Sequence, residues 1–211
     1  MKRIILADDH SFIRMGLIQI LKDEYPSAEI KEVEDGDALI KEVMLHDWDL
    51  VISDLDMPGR NGLEALEQIK KIKPSLPVII LSMYTEDLYA LRVIKAGASG
   101  YLNKNAAPTE LIKAIKRISL GRKYITSDIA EQLLAHSDDK KPHEVLTNRE
   151  FEIFKLLANG KTISQIAETL SLALTTVSTH RSRIMEKLNL STNSDLTRYA
   201  IAHSIISDID L

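Results

Sequence analysis

The sequence predicts an α/β fold, a doubly wound five-stranded parallel sheet, followed by a small all-α helix-turn-helix domain. Three features of the 211 residues carry that expectation. Short β-rich runs alternate with amphipathic helical stretches as far as about Leu120, two of the inner runs are almost continuously apolar, and no strand-like run follows Gly121. Five strands and five helices in strict alternation require parallel crossover connections.

The first run, "RIILAD", leads into a stretch with Ile13, Leu17, Ile20 and Leu21 at helical spacing. "AEIKEVE" alternates polar with apolar and reads as an edge strand, whereas "DLVISD" and "PVIILS" read as strands covered on both faces. Between those two, Leu63, Leu66, Ile69 and Ile72 mark a helix that begins only near Asn61. Asp54 therefore ends its strand a full loop too early to cap that helix, although Asp is a favoured capping residue. "GYLNK" is the fifth strand, and Leu111, Ile115 and Ile118 mark the helix after it. Pro108 suits that helix's first position, while Ala107 stands where Ser or Asp would cap better.

Residues 122–145 hold one short helical candidate and then a polar, charged, Pro-containing stretch that reads as a linker. Residues 146–211 then form a four-helix unit. Thr147 with Glu150 and Thr162 with Gln165 make two capping boxes, and further segments start near Leu174 and Ser194. The expected domains are thus 1–121 and 146–211, joined by 122–145.

Composition is that of ordinary globular material: 45% apolar, 27% charged, net charge −4. The absence of cysteine excludes disulfides, thiolate metal sites and cysteine nucleophiles, and suits a reducing compartment. The start "MKRIILADDH" meets two acids too soon for a signal peptide, and no run approaches the roughly 18 apolar residues of a membrane helix. A cytoplasmic protein without membrane contact is expected.

In an open parallel sheet, ligands sit beyond the carboxyl ends of the strands. Asp8 and Asp9 close the first strand, Asp54 the third and Ser82 the fourth, and Lys104 lies just past the fifth. Crowded carboxylates need a counter-charge, and an oxygen-only ligand set suits Mg²⁺ better than a soft metal. Asp54 is then a candidate nucleophile, taking a phosphoryl group as an acyl phosphate while metal and Lys104 balance the transferred charge.

"LADDH", "VISDLDMPGRNG", "VIILSMY" and "GASGYLNK" resemble the receiver domain of bacterial two-component response regulators, over essentially residues 1–121. The resemblance implies phosphorylation of Asp54 by a sensor histidine kinase. It implies Mg²⁺ held by Asp9, Asp54 and the backbone carbonyl of Asp56, with Asp8 acting through water. It gives Ser82 the phosphoryl oxygen, Lys104 the pairing charge and Tyr101 the part of switch aromatic. Asp56 and Tyr84 fall at positions that tune the lifetime of the acyl phosphate.

The tail resembles the LuxR-type DNA-binding domain, which makes the whole similar to the NarL/FixJ class of regulators. Residues 163–170 read as a short helix, "SLAL" as a turn, and 175–188 as a longer helix with Val177, Ile184 and Leu188 inward and Ser178, Thr179, Ser182 and Arg183 outward. By resemblance, Ser178, Thr179 and Ser182 read bases of double-stranded DNA. Thr176, His180, Arg181 and Arg183, with Lys161, contact phosphates. Ala173 and Thr175 depart from the family's usual Ser cap and basic residue. Residues 147–211 contain seven Lys/Arg and seven Asp/Glu, so one protomer should bind DNA weakly. Homodimerisation on phosphorylation would then make the second DNA contact intramolecular.

Two other readings fit parts of the sequence. Asp54-Leu55-Asp56 matches the Asp-x-Asp of aspartyl-nucleophile phosphatases, which place it on their first strand. The tail could instead be a protein-interaction module. The regulator reading expects no enzyme turnover beyond Mg-assisted self-phosphorylation and self-dephosphorylation.

Overall fold

The computed structural model describes residues 1–83, 86–106, 108–126, 129–131, 142–203 and 205–206. Tyr84, Ala107 and most of the expected linker helix lie outside them. The chain divides into two compact units, Met1–Ala135 and His136–Leu211.

In the first unit, strands β1 (Arg3–Ala7), β2 (Glu29–Val33), β3 (Leu50–Asp54), β4 (Val78–Ser82) and β5 (Gly100–Asn103) alternate with helices α1 (Ser11–Glu24), α2 (Gly36–Leu45), α3 (Gly62–Ile72), α4 (Glu86–Lys95) and α5 (Pro108–Ser119). The sheet order is β2-β1-β3-β4-β5, all parallel. Every residue of β3 and β4 is buried, as continuous apolar runs between two helical layers must be. β2, the alternating run, lies at the edge. Leu6, Ile52, Leu81 and Leu102 from four strands share a core cluster with Leu111 and Ile115 of α5.

α3 starts where its periodicity starts, and its N-cap is Asn61, whose side chain accepts from the Glu64 amide. Asp54 is left free of capping duty. Gly62 follows because a Cβ there would meet the Asp54 carbonyl oxygen at 2.0 Å, a close approach that only glycine permits. This packing holds the loop after β3 tightly around the strand tip.

α1 departs from its expected face. Leu21 is buried, but Ile13, Leu17 and Ile20 are only half-buried, and the other buried residue is Arg14. Its Nη1 donates to the Asp8 carbonyl at 2.6 Å, while Nε and Nη2 donate to Glu32 at 3.0 Å and Glu34 at 2.7 Å. Packing also continues past Gly121. The buried Tyr124 bridges to Gly100 in parallel sense, and its amide donates to the Ser99 carbonyl.

The second unit has a 3₁₀ turn, Pro142–Val145, and helices α6 (Asn148–Ala158), α7 (Ile163–Thr169), α8 (Leu174–Leu188) and α9 (Asn193–Ala202). Both expected capping boxes are present, and Thr192 with Asp195 makes a third. Phe151, Phe154, Ile166, Val177, Ile184 and Leu196 form its buried interior. Among the described residues no helix is long and apolar enough to cross a membrane.

Candidate phosphoacceptor site and helix-turn-helix surface

The parallel register brings the strand tips to one rim. Asp54 pairs with Leu81 and Ser82 with Asn103, and the Lys104 amide donates to the Ser82 carbonyl at 2.7 Å. From there the Lys104 ammonium reaches Asp54 Oδ2 at 2.6 Å and Asp8 Oδ2 at 2.9 Å. All three side chains are no more than 3% exposed. Asp54 Oδ1 accepts from the Asp56 amide at 3.2 Å. Asp56 is thus beside Asp54 through its main chain. Ser82 and Tyr101 are wholly buried, so the aromatic matched to the family's switch position is enclosed in this structure.

Burial pushes the Asp54 carboxyl up to about 6; Lys104 pulls it down and the Asp8 carboxylate pushes it further up. Burial would by itself lower Lys104, but hydrogen bonds to Asp54 and Asp8 outweigh it and hold the ammonium above its ordinary value. The cluster contains more negative than positive charge.

Asp8, Asp9, His10 and Asp54 each bring one donor atom within 4.8 Å of all the others. Apart from the Lys104 ion pairs, Asp8 Oδ2 and Asp54 Oδ2 have no hydrogen-bond partner. Three carboxylates against one ammonium, two of them buried, suit a hard divalent cation. His10 is the residue that sequence reasoning missed. It is the N-cap of α1 without a side-chain capping bond, and its Nδ1 turns instead to Asp9 Oδ1 at 2.8 Å and Asp8 Oδ1 at 3.3 Å. Its position beside the acid pair was the available signal.

On α8, Val177, Ile184 and Leu188 are buried as the periodicity requires, joined by Met185. Ser178, Thr179, Ser182 and Arg183 are exposed, as is Lys161 on the loop before α7. Ala173, at the N-cap, makes no side-chain cap. Ser171 takes φ 52° in the turn, an uncommon conformation for a residue with a Cβ. Thr176, His180 and Arg181 are half-buried. Arg181 donates to Asn193 Oδ1 through Nε at 3.0 Å and Nη2 at 2.8 Å. His180 has a buried Nδ1 without a hydrogen-bond partner. Burial holds its pKa below the ordinary histidine value, with the nearby Arg149, Arg183 and Lys187 charges acting in the same direction against Glu150.

Lys187, near the end of α8, is exposed but ion-paired within the helical unit. Its ammonium lies 2.6 Å from Glu150 Oε2 of α6, whose carboxylate also accepts from the Thr147 amide. Burial would raise Glu150, but Lys187 and Thr147 outweigh it and hold the carboxyl below its ordinary value.

Residues 4–116 match the family model for the response regulator receiver domain, and residues 144–200 match that for bacterial regulatory proteins of the luxR family. The chain belongs to the response regulator family. The Escherichia coli K12 response regulator UvrY is 35% identical over 97% of this response regulator and 96% of its own length. The response regulator GacA of Pseudomonas aeruginosa is 31% identical over 98% of each chain. Among solved structures, the RcsB–DNA complex aligns with TM-score 0.58 and 28% identity, over 97% of this chain and 99% of that one. RcsB from Salmonella enterica serovar Typhimurium, bound to promoter rprA in the presence of phosphomimetic BeF3−, aligns with TM-score 0.65 and 28% identity, over 94% and 98%. Matches to both halves favour a transcriptional response regulator over the phosphatase and over a receiver with a protein-interaction tail.

Proposed function

We propose that Asp54 is the phosphoacceptor of a receiver that controls DNA binding by the helical unit, with residues 122–145 as the connection between them. The supporting observation is the Lys104 ammonium shared by Asp54 and Asp8, 2.6 and 2.9 Å away at a buried strand rim. An Asp54 oxygen attacks the phosphorus of a phosphohistidine on a sensor histidine kinase. The P–O bond forms as the P–N bond breaks, and the imidazole leaves.

Asp8, Asp9 and Asp54, with the main-chain carbonyl of Asp56, would hold Mg²⁺. Bound there, the ion supplies charge neutralisation and orients the phosphoryl oxygens. Lys104 pairs with the transferred charge, and Ser82 donates its hydroxyl proton to a phosphoryl oxygen. Drawing Ser82 toward the new group reorganises the packing around Tyr101 and the outer surface of the last helix and strand pairs. Two protomers then dimerise.

On α8, the exposed Ser178, Thr179 and Ser182 would meet base edges and Arg183 a phosphate, with Thr176, His180, Arg181 and Lys161 alongside. Arg181 must then share or release Asn193. The helical unit has no net charge surplus to drive tight binding alone, so dimerisation supplies affinity through an intramolecular second contact and requires two inverted half-sites. The assembly works in the cytoplasm and carries out no turnover beyond acquiring and losing its own phosphate.

The test combines Asp54→Asn with acetyl phosphate and Mg²⁺. The wild type should gain one phosphate at Asp54 and bind selected DNA more tightly, and the variant should do neither. Phosphate-dependent DNA binding that survives in Asp54→Asn would overturn the assignment.

A further inference from the structure

We propose that His10 is a direct metal ligand of the phosphoacceptor pocket, through Nδ1, and that this ligand raises the pocket's preference for first-row transition ions over magnesium. The inference rests on the phosphoacceptor reading of Asp54 and extends it to the class of metal.

The geometry carries it. Two donors each about 2.1 Å from one ion, at octahedral or tetrahedral angles, stand about 3.0–3.4 Å apart. His10 Nδ1 is 2.8 Å from Asp9 Oδ1, 3.3 Å from Asp8 Oδ1 and 3.9 Å from Asp54 Oδ2. The Asp8 separation lies in that range, the Asp9 separation just below it and the Asp54 separation above it, so binding an ion would draw Asp54 Oδ2 closer to the ring. The backbone supports the placement, because the His10 amide donates to Asp8 Oδ1 at 2.8 Å and so folds the ring back over the acid pair. As N-cap of α1 the residue makes no side-chain bond to the helix, which leaves the ring free to face the acids.

Chemistry decides what such a ligand changes. A pocket of oxygen donors and water suits Mg²⁺, which dehydrates reluctantly and prefers oxygen. An imidazole nitrogen adds a borderline donor that favours Mn²⁺, Co²⁺ or Zn²⁺. Ligation through Nδ1 uses the lone pair of that atom, so a bound ion takes the place of the proton that bridges Nδ1 and Asp9 Oδ1 at 2.8 Å. With its side chain 59% exposed, the imidazole can meet water on its outer side while Nδ1 faces the carboxylates.

The decisive experiment measures Co²⁺ and Mg²⁺ affinities of the full chain by calorimetry, at one fixed pH, for wild type, His10→Ala and His10→Gln. The ratio of Co²⁺ to Mg²⁺ affinity should fall at least about tenfold in both variants, the low end of what even an outer-shell metal partner contributes. The visible absorption of bound Co²⁺ should shift as its nitrogen ligand is lost. A ratio and spectrum unchanged from wild type overturn the proposal. Labelling of Asp54 by acetyl phosphate is measured on the same samples to separate the two claims. Normal labelling with an unchanged ratio rejects imidazole ligation alone. A wild type that neither binds Mg²⁺ nor labels rejects the phosphoacceptor reading and the His10 proposal with it.

Discussion

The Lys104 ammonium and the Asp54 carboxylate stand 2.6 Å apart with both side chains nearly sealed from water. Removing one member of such a pair leaves a buried charge without its counter-charge. Lys104→Met should therefore destabilise the metal-free protein at neutral pH by about 3 kcal/mol. Part of that loss should be recovered on adding Mg²⁺. Urea unfolding with and without Mg²⁺ checks both.

The raised Asp54 pKa makes a pH-dependent contribution whose sign is definite. The folded carboxyl titrates at about 6 against 3.8 for the unperturbed group. Its contribution is fully present below pH 3.8 and is lost as pH rises through about 6. Ionised Asp54 thus opposes folding at neutral pH, on the order of 2–3 kcal/mol. Asp54→Asn should be more stable than wild type at pH 7.5, and the gap should close by pH 4. Unfolding midpoints of the two proteins across that range provide the measurement.

Arg14 ties α1 to the acid loop through the Asp8 carbonyl and to β2 and the segment after it through Glu32 and Glu34. Arg14→Met leaves the Asp8 carbonyl without this donor, and should lower stability by about 2 kcal/mol, the scale of a lost hydrogen bond to a charged group. Faster amide exchange at residues 8–10 should accompany weaker Mg²⁺ binding. Arg14→Lys should restore less than half of each effect, since an ammonium lacks the guanidinium fork.

Glu150 has the opposite sign from Asp54. Its carboxyl is held below the ordinary value by Lys187 and Thr147 despite burial, so its contribution is present above the unfolded pKa of 4.5 and lost as pH falls through the folded value. Lys187→Met should loosen α6 against α8 and weaken DNA binding without touching a residue proposed to read bases. Amide exchange in the two helices and DNA titration of the phosphorylated full chain test this.

On the outer face of α8, Arg183→Ala should reduce the salt dependence of DNA binding by about one counterion and weaken all sequences alike. Ser182→Ala should instead change base preference at one position per half-site. Selection from random oligonucleotides distinguishes the two patterns.

Much of this molecule follows from local pattern. The alternation of "DLVISD" and "PVIILS" with helical stretches dictated a parallel sheet, the polar alternation of "AEIKEVE" its edge, and Thr147-x-x-Glu150 a helix start. The kind of each element depends on neighbours within a few residues, where steric and hydrogen-bonding rules act directly, and the parallel sense follows from the order of those elements. The ordered appearance of Asp8, Asp9, Asp54, Ser82 and Lys104 at strand ends made the acid rim legible as well, because crossover topology sends every parallel strand's carboxyl end the same way.

The partners chosen across the fold were not legible. Nothing local says that Arg14 turns inward to the Asp8 carbonyl, that the His10 ring faces carboxylates and not its own helix, or that Lys187 neutralises Glu150. A charged side chain adopts whichever partner offsets its desolvation, and that partner is brought near only when segments distant in sequence pack together. The sequence by itself determined the kinds of element, their order and the chemical groups presented at the rim. Tertiary structure alone decided which charges meet, how deeply they are buried and hence how Asp54 titrates, because dielectric and distance exist only once the sheet has closed over them.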